Sequence, residues 1–234
     1  MDLSVVLPTL HRLDTARLLA HRIRELCGGT VNCEVILVTP RVADSSHVDT
    51  IRCIADTGVG VYAAYERGLC EARGEYVWFM GDDDFPLDFS NTLKRLIEER
   101  RADLIVAPVI YSTGRLYRPT RHPIGLLFYN WCQQGVLYRR RILIQHHFPR
   151  RFPIQADQYV NNLLRSDLDL EIAFLDDPIC VFGAAGISSR GGDSRFRTIR
   201  TRLARRVLVR RHYLIYRMIV LVADSIKFCK GLFR

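Results

Sequence analysis

The 234-residue chain lacks the paired cysteine spacings of a zinc ribbon or a disulfide framework. Its seven cysteines are odd in number, none forms Cys-x-x-Cys, and Cys70, Cys132 and Cys180 lie inside apolar runs. That usage predicts reduced, buried thiols in a cytosolic protein. Neither Gly-x-Gly-x-x-Gly nor a Walker-type loop occurs, which disfavours a dinucleotide fold and a P-loop. No internal repeat is visible. The first residues enter a strand pattern directly, with no basic segment and long apolar stretch, so no export signal is expected. Acid is almost missing from the end of the chain. Residues 195–234 hold 12 Lys plus Arg against Asp224 alone, whereas the remainder holds 22 basic and 24 acidic residues. The body is therefore near neutral and the tail supplies the +9 net charge, which predicts an anionic partner for the tail.

What is present is organised around Gly74–Asp84. An apolar run, Tyr76 to Met80, ends in Gly81 and three consecutive carboxylates, Asp82, Asp83 and Asp84. The run has the length and aromatic content of a buried strand. Three acids at one strand end repel one another, and a divalent cation with oxygen ligands is the usual compensation. In open α/β sheets, ligands collect at the carboxyl ends of strands. The pattern therefore predicts a metal and phosphate site.

Elsewhere the first hundred residues alternate. Strand patterns at Leu3–Leu7, Cys33–Val38, Arg52–Ala55 and Asp103–Ala107 are separated by helical spacings at His11–Leu26, Tyr62–Ala72 and Pro86–Arg101. Such alternation predicts a mostly parallel sheet with right-handed crossovers. Residues 108–190 are less regular. They predict a hairpin turning near Thr113-Gly114, a strand over Gln133–Arg140, a helix from Asp157 to Arg165, and short strands at Glu171–Leu175 and Ile179–Phe182. Gly183 to Gly192 reads as a small-residue segment that could move over a site.

Six fragments, in order, resemble family 2 glycosyltransferases of the GT-A fold, and most closely the subgroup related to colanic-acid and other bacterial surface-polysaccharide transferases. They are Ser4-Val5-Val6-Leu7-Pro8-Thr9, Gly60 to Gly68, Ala72 to Asp84, Gln133 to Arg139, Ala156-Asp157-Gln158-Tyr159, and Gly186-Ile187-Ser188-Ser189. The resemblance covers residues 3 to about 190 and implies a GT-A domain over 1–194. Its nucleotide-binding half is expected over 1–107 and its acceptor half over 108–194. Departures are visible. Thr39-Pro40 stands where the family carries an acidic turn that reads the base, and Asp44 and Asp56 are the nearest acids, neither in register. Ala63, Glu66 and Gln133 replace the usual Asp, Asn and His. These departures leave donor identity open, with a UDP-sugar favoured.

The resemblance implies that Asp84 ligates Mn²⁺ or Mg²⁺, that Asp82 faces the ribose or shares the metal, and that Asp83 is a spare. Such a cation acts as a Lewis acid on the departing diphosphate. Asp157 is the implied general base for the acceptor hydroxyl; its place near a helix N-terminus is expected to lower its pKa. Pro8, Thr9, Arg12, Thr39, Asp56, Arg67, Asp82 and Asp83 are the expected nucleotide-sugar contacts. Gln133, Gln134, Ser188 and Ser189 are the expected acceptor contacts. Adjacent His146 and His147 point apart on regular elements and read as an ordinary loop.

The tail, 195–234, is too short in its apolar run and too charged to span a bilayer. Leu203, Val207, Tyr213 or Leu214, Met218, Leu221 and Phe228 instead predict one basic amphipathic helix lying on an anionic membrane. Nucleic acid is not expected, since no recognisable module is present. The activity expected is inverting, metal-dependent transfer of a hexose or its N-acetyl derivative. The sugar would pass from a nucleotide diphosphate to a glycan or lipid-linked acceptor, in surface-polysaccharide synthesis at the cytoplasmic membrane face. Alternatives are a decayed, non-catalytic scaffold and a nucleotidyltransferase. The latter wants a Gly-rich, Lys-containing loop where this chain has Pro8-Thr9-Leu10-His11.

Overall fold

The computed structural model describes residues 1–40, 51–56, 58–99, 102–183 and 191–232, with side chains through residue 223. The chain opens with β1 (Leu3–Pro8), α1 (Leu13–Cys27), β2 (Cys33–Thr39), β3 (Ile51–Ala55), α2 (Val61–Glu71) and β4 (Tyr76–Phe79). Next come β5 (Phe85–Pro86), α3 (Ser90–Glu99), β6 (Leu104–Val106), β7 (Val109–Tyr111), β8 (Leu116–Tyr117) and α4 (Pro123–Leu126). A 3₁₀ turn over Gln133–Gly135 leads into β9 (Val136–Arg139) and α5 (Arg140–Leu143). The chain continues through α6 (Ala156–Ser166), β10 (Ile172–Phe174), β11 (Cys180–Phe182), α7 (Ser194–Val207) and α8 (Arg210–Leu232).

Among the described residues the larger sheet runs β10-β6-β9-β4-β1-β2-β3. All its pairings are parallel except those of β9, which lies antiparallel between β4 and β6. The strands read as unbroken apolar runs because both faces are covered. Val6, Ile36, Val38, Val77 and Phe79 face α2, α6 and α7, while Val5, Leu7, Val35, Leu37 and Trp78 face α1 and α3. Period-two alternation thus divides each strand between two hydrophobic layers.

A second sheet, β5-β11-β7-β8, is absent from the sequence expectation. Its strands are two or three residues long, too short to carry a periodic signal. β5 also corrects the expected helix over Pro86–Arg101. Phe85 and Pro86 pair with Val181 and Cys180, and the helix begins only at Ser90, whose amide donates to Asp88 Oδ1 at 3.1 Å. Proline, with no amide hydrogen, sits on the edge of this sheet. The functional consequence is direct: β5 follows the three aspartates, so its pairing with β11 fixes that turn beside Gly183.

The hairpin turn at Thr113-Gly114 is present, with Gly114 at φ 83°. Cys70 is exposed on α2 rather than buried, because the helix turns it away from the inward-facing Tyr65, Leu69 and Ala72. The cysteines described are free thiols. The tail is two helices, broken after Val207, not one amphipathic helix; Leu203 is only 3% exposed and belongs to the core.

Gly74, which precedes β4, allows the close approach of two strand starts. A Cβ there would stand 2.4 Å from the Ser4 amide nitrogen and 2.6 Å from the Leu3 carbonyl carbon. Backbone cannot yield as a side-chain tip can. Gly74→Ala is expected to cost about 2–3 kcal/mol by overpacking. The cost would be read as a lower denaturation midpoint at constant slope; an unchanged midpoint would show that this contact relaxes freely.

Candidate active site

The carboxyl ends of β1, β2 and β4 meet at one edge of the larger sheet, where a parallel sheet places its ligand. Pro8, the last residue of β1, lies opposite Val38, and Thr9 follows it, buried. Thr9 Oγ1 donates to Asp82 Oδ2 at 2.7 Å and accepts from the Arg12 amide at 3.2 Å. The Arg12 guanidinium stands 3.7 Å from Asp82 Oδ1, with half its side chain exposed. Pro8, Thr9, Arg12 and Asp82 therefore form one cluster, joining residues far apart in sequence.

Asp84 lies deeper, 5% exposed. Its Oδ2 accepts from the Gly81 amide at 2.6 Å and its Oδ1 from the Gly183 amide at 3.0 Å. The Gln134 side chain also bonds to it. Burial outweighs these donors and pushes its carboxyl up to about 7. Asp83 is raised as well, first by burial and then by the charge of Asp82. Gly183 must be glycine here: a Cβ would lie 2.5 Å from Asp83 Oδ2 and 2.6 Å from its carbonyl oxygen.

Asp157 sits in the first turn of α6, 7% exposed. The N-cap of that helix is Gln155, so Asp157 is not its cap. Its Oδ1 accepts from Tyr62 Oη at 2.8 Å and the Gln158 amide at 2.8 Å, and its Oδ2 from Asn130 Nδ2 at 2.7 Å. The expected lowering of its pKa is reversed. Burial raises the carboxyl to about 6, outweighing three hydrogen bonds and the helix N-terminus. Beyond the first contacts, Asn130 Oδ1 accepts from Asn161, and Asn161 Oδ1 and Gln133 Oε1 both stand within reach of Tyr138 Oη. The network holds Asp157 rigidly, as a reacting group requires.

Burial, and after it the charges of Asp84 and Asp157, raise the pKa of both Tyr65 and Cys132. One short segment reaches both acids: Asn130 donates to Asp157, and the Gln134 side chain bonds to Asp84. Gln134, joined to Asp84, also accepts from Cys132 Sγ at 3.2 Å, and Gln133 Nε2 is buried without a protein partner.

Two expectations change. Arg67 pairs with Glu71 at 2.7 Å, one turn further along α2 and away from the strand ends, because α2 runs antiparallel to the strands. Asp56, judged out of register, lies beside the missing acid. Ala55 pairs with Thr39, and the Asp56 amide donates to the Thr39 carbonyl at 2.9 Å. The residue after β3 thus brings an acid to the edge where β2 offers none, its Oδ1 accepting from the Gly58 amide at 2.9 Å. Asp44, Ser188 and Ser189 lie outside the described residues. Tyr62, Tyr65, Asn130 and Asn161 escaped the sequence reading. Tyr62 and Tyr65 fall in the Gly60–Gly68 fragment, a signal that was available; Asn130 and Asn161 carried none.

The donor set is chemically suited to Mg²⁺ or Mn²⁺. Asp82, Asp83 and Asp84 offer hard oxygens, and Asp84 keeps a lone pair beyond its contacts with the two amides and Gln134. Among the described residues no group of three His, Cys, Asp or Glu side chains could hold an ion alone.

A mostly parallel sheet with helices on both faces and a carboxylate turn after β4 is the GT-A class of α/β fold. The chain belongs to the glycosyl transferase family 2, whose sequence model matches residues 4–155. Among curated proteins none matches it in sequence. S. aureus TarS superposes with a TM-score of 0.69 at 16% identity, over 91% of this chain and 41% of that one. This chain thus spans about two fifths of that protein. The mannosyltransferase PcManGT from Pyrobaculum calidifontis, solved with GDP-Man and Mn²⁺, gives 0.57 at 14% identity over 96% and 75%. Glucosyl-3-phosphoglycerate synthase from Mycobacterium tuberculosis gives 0.59 at 19% identity over 88% and 80%. At such identities these likenesses establish the fold.

Proposed function

We propose that the protein is a metal-dependent, inverting glycosyltransferase. It moves a hexose or N-acetylhexosamine from a nucleotide diphosphate, UDP favoured, to a glycan or lipid-linked glycan of a surface polysaccharide. The observation that carries this reading is the pair of buried carboxylates, Asp84 in the turn after β4 and Asp157 on α6, linked through the segment from Asn130 to Gln134. The acceptor hydroxyl enters on the Asp157 side with Gln133 and Gln134, and Ser188 and Ser189 complete its contacts. Asp157 takes the hydroxyl proton as the oxygen attacks C1 from the face opposite the nucleotide. Thr9 and Arg12 hold Asp82 in place for the ribose or the metal. Asp84, with Asp82, would hold a divalent cation, which when bound would supply Lewis-acid stabilisation of the departing diphosphate. The body of the domain extends past residue 194 through α7, whose Phe196, Leu203 and Ala204 belong to its core, and the end of the basic tail keeps the enzyme at the inner face of an anionic membrane. TarS 1–349 has been solved with UDP-GlcNAc and PcManGT with GDP-Man and Mn²⁺, which supports a nucleotide-sugar donor.

The test is a thermal-shift panel of UDP-, GDP-, CDP- and dTDP-sugars, each with and without Mn²⁺. A shift for one nucleotide, larger with metal, is expected. No shift for any would overturn the reading. Asp56 takes over base recognition from the missing β2 acid in this proposal. Asp56→Asn should therefore raise the donor KM about tenfold, the worth of a charge-assisted hydrogen bond, with kcat little changed. An unchanged KM would return base reading to the backbone near Thr39.

A further inference from the structure

The two C-terminal helices divide their apolar residues between different tasks. α7 sends Phe196, Leu203 and Ala204 into the core. α8 attaches through one face only. Tyr216 is fully buried, its ring 5.6 Å from Phe128 and its hydroxyl 3.3 Å from Thr201 Oγ1. On the same face His212 lies 5.2 Å from His122, and Tyr213 and Val220 pack partly against the core. The opposite face is also apolar. At 3.6 residues per turn, Leu214, Ile215, Met218, Leu221 and Val222 fall on the side away from Tyr216. They are 48% to 67% exposed. A helix with apolar residues on both faces is normally buried on both; α8 is buried on one side. Exposed Arg210, Arg211 and Arg217 border the open face, and α7 adds exposed Arg202, Arg205 and Arg206 nearby.

We infer that the outward face of α8, not the tail as a whole, is the membrane-docking surface, lying in an anionic lipid interface. This sharpens the membrane association proposed above and rests on it, while α7 belongs to the body. Five apolar side chains enter the acyl boundary, and the neighbouring arginines meet lipid phosphates. Among the described residues no helix is long and apolar enough to cross a membrane, which fits a helix lying flat. A second copy of the chain is a poorer occupant. A symmetric contact would set arginine-bordered faces together, and between residues 194 and 234 the sequence offers one acid, Asp224.

The test is co-sedimentation of the full chain with phosphatidylcholine vesicles, with and without 30% phosphatidylglycerol, at low and high salt. The wild type should bind the anionic vesicles at least about tenfold better, and salt should weaken the binding. L214E/M218E should lose binding while keeping the wild-type melting temperature and the donor-induced thermal shift, since both residues are exposed. R210E/R217E should lose the preference for anionic lipid. If the wild type binds but L214E/M218E still binds, the face assignment fails and the general association stands. If the wild type binds neither vesicle, both fail. A wild-type dimer that L214E/M218E converts to monomer would assign the face to a second copy and overturn the proposal. Vesicle binding is read without turnover, so none of these outcomes depends on the transfer chemistry.

Discussion

Asp157→Asn is expected to lower kcat by about 10³-fold, within the range general bases contribute, with donor binding nearly unchanged. The substitution keeps volume and removes the group that accepts the acceptor's proton. A donor thermal shift equal to the wild type's would show that the nucleotide side is intact. In the wild type, kcat/KM should rise with pH through an acid limb centred near 6, because only the carboxylate form accepts a proton and burial has raised that carboxyl to about 6. The limb should vanish in the variant's residual activity. Stability gives an independent check with the opposite sign. A carboxyl raised from 3.8 to about 6 stabilises the fold fully at pH below its unfolded value. That contribution is lost as pH rises through about 6, an effect on the order of 2–3 kcal/mol. Asp157→Asn, neutral throughout, should flatten that part of the stability profile. Wild-type turnover in the variant would remove Asp157 from the base role.

The second large effect concerns Asp84→Ala. Turnover should fall about 10³-fold or more, the cost of removing electrostatic stabilisation at a leaving group. The Mn²⁺-dependent part of the donor's thermal shift should disappear with it. Asp83→Asn should cost little in comparison, since Asp83 is the spare carboxylate. Asp84 also anchors the Gly81 and Gly183 amides through its two oxygens, so Asp84→Asn keeps the volume and one of these two acceptors while removing the charge. If Asp84→Ala retains metal-dependent turnover, the cation sits elsewhere. If Asp84→Asn is active and Asp84→Ala is not, the residue is a structural anchor of the turn.

The strands of the larger sheet were legible because apolar runs bounded by Pro, Gly and charged residues leave few other readings; β1, β2, β4 and β6 lie where the pattern put them. So was the triple aspartate after β4, since composition changes within one residue there. The sequence also fixed attention on Asp157 through a local fragment. It misjudged that residue's acidity, because a helix N-terminus is a local feature while burial depends on everything packed above it. The β5–β11 pairing, which sets the carboxylate turn against Gly183, joins short segments far apart in the chain and leaves no periodic trace. Asp56 looked out of register for the same reason: its place beside Thr39 is created by the pairing of β2 with β3. The basic tail was plain in the sequence, but which apolar residues face the body and which face outward was not. Local pattern determined what each segment is; long-range packing decided which side chains share a site, because desolvation and strand pairing are properties of neighbours that the chain brings from afar.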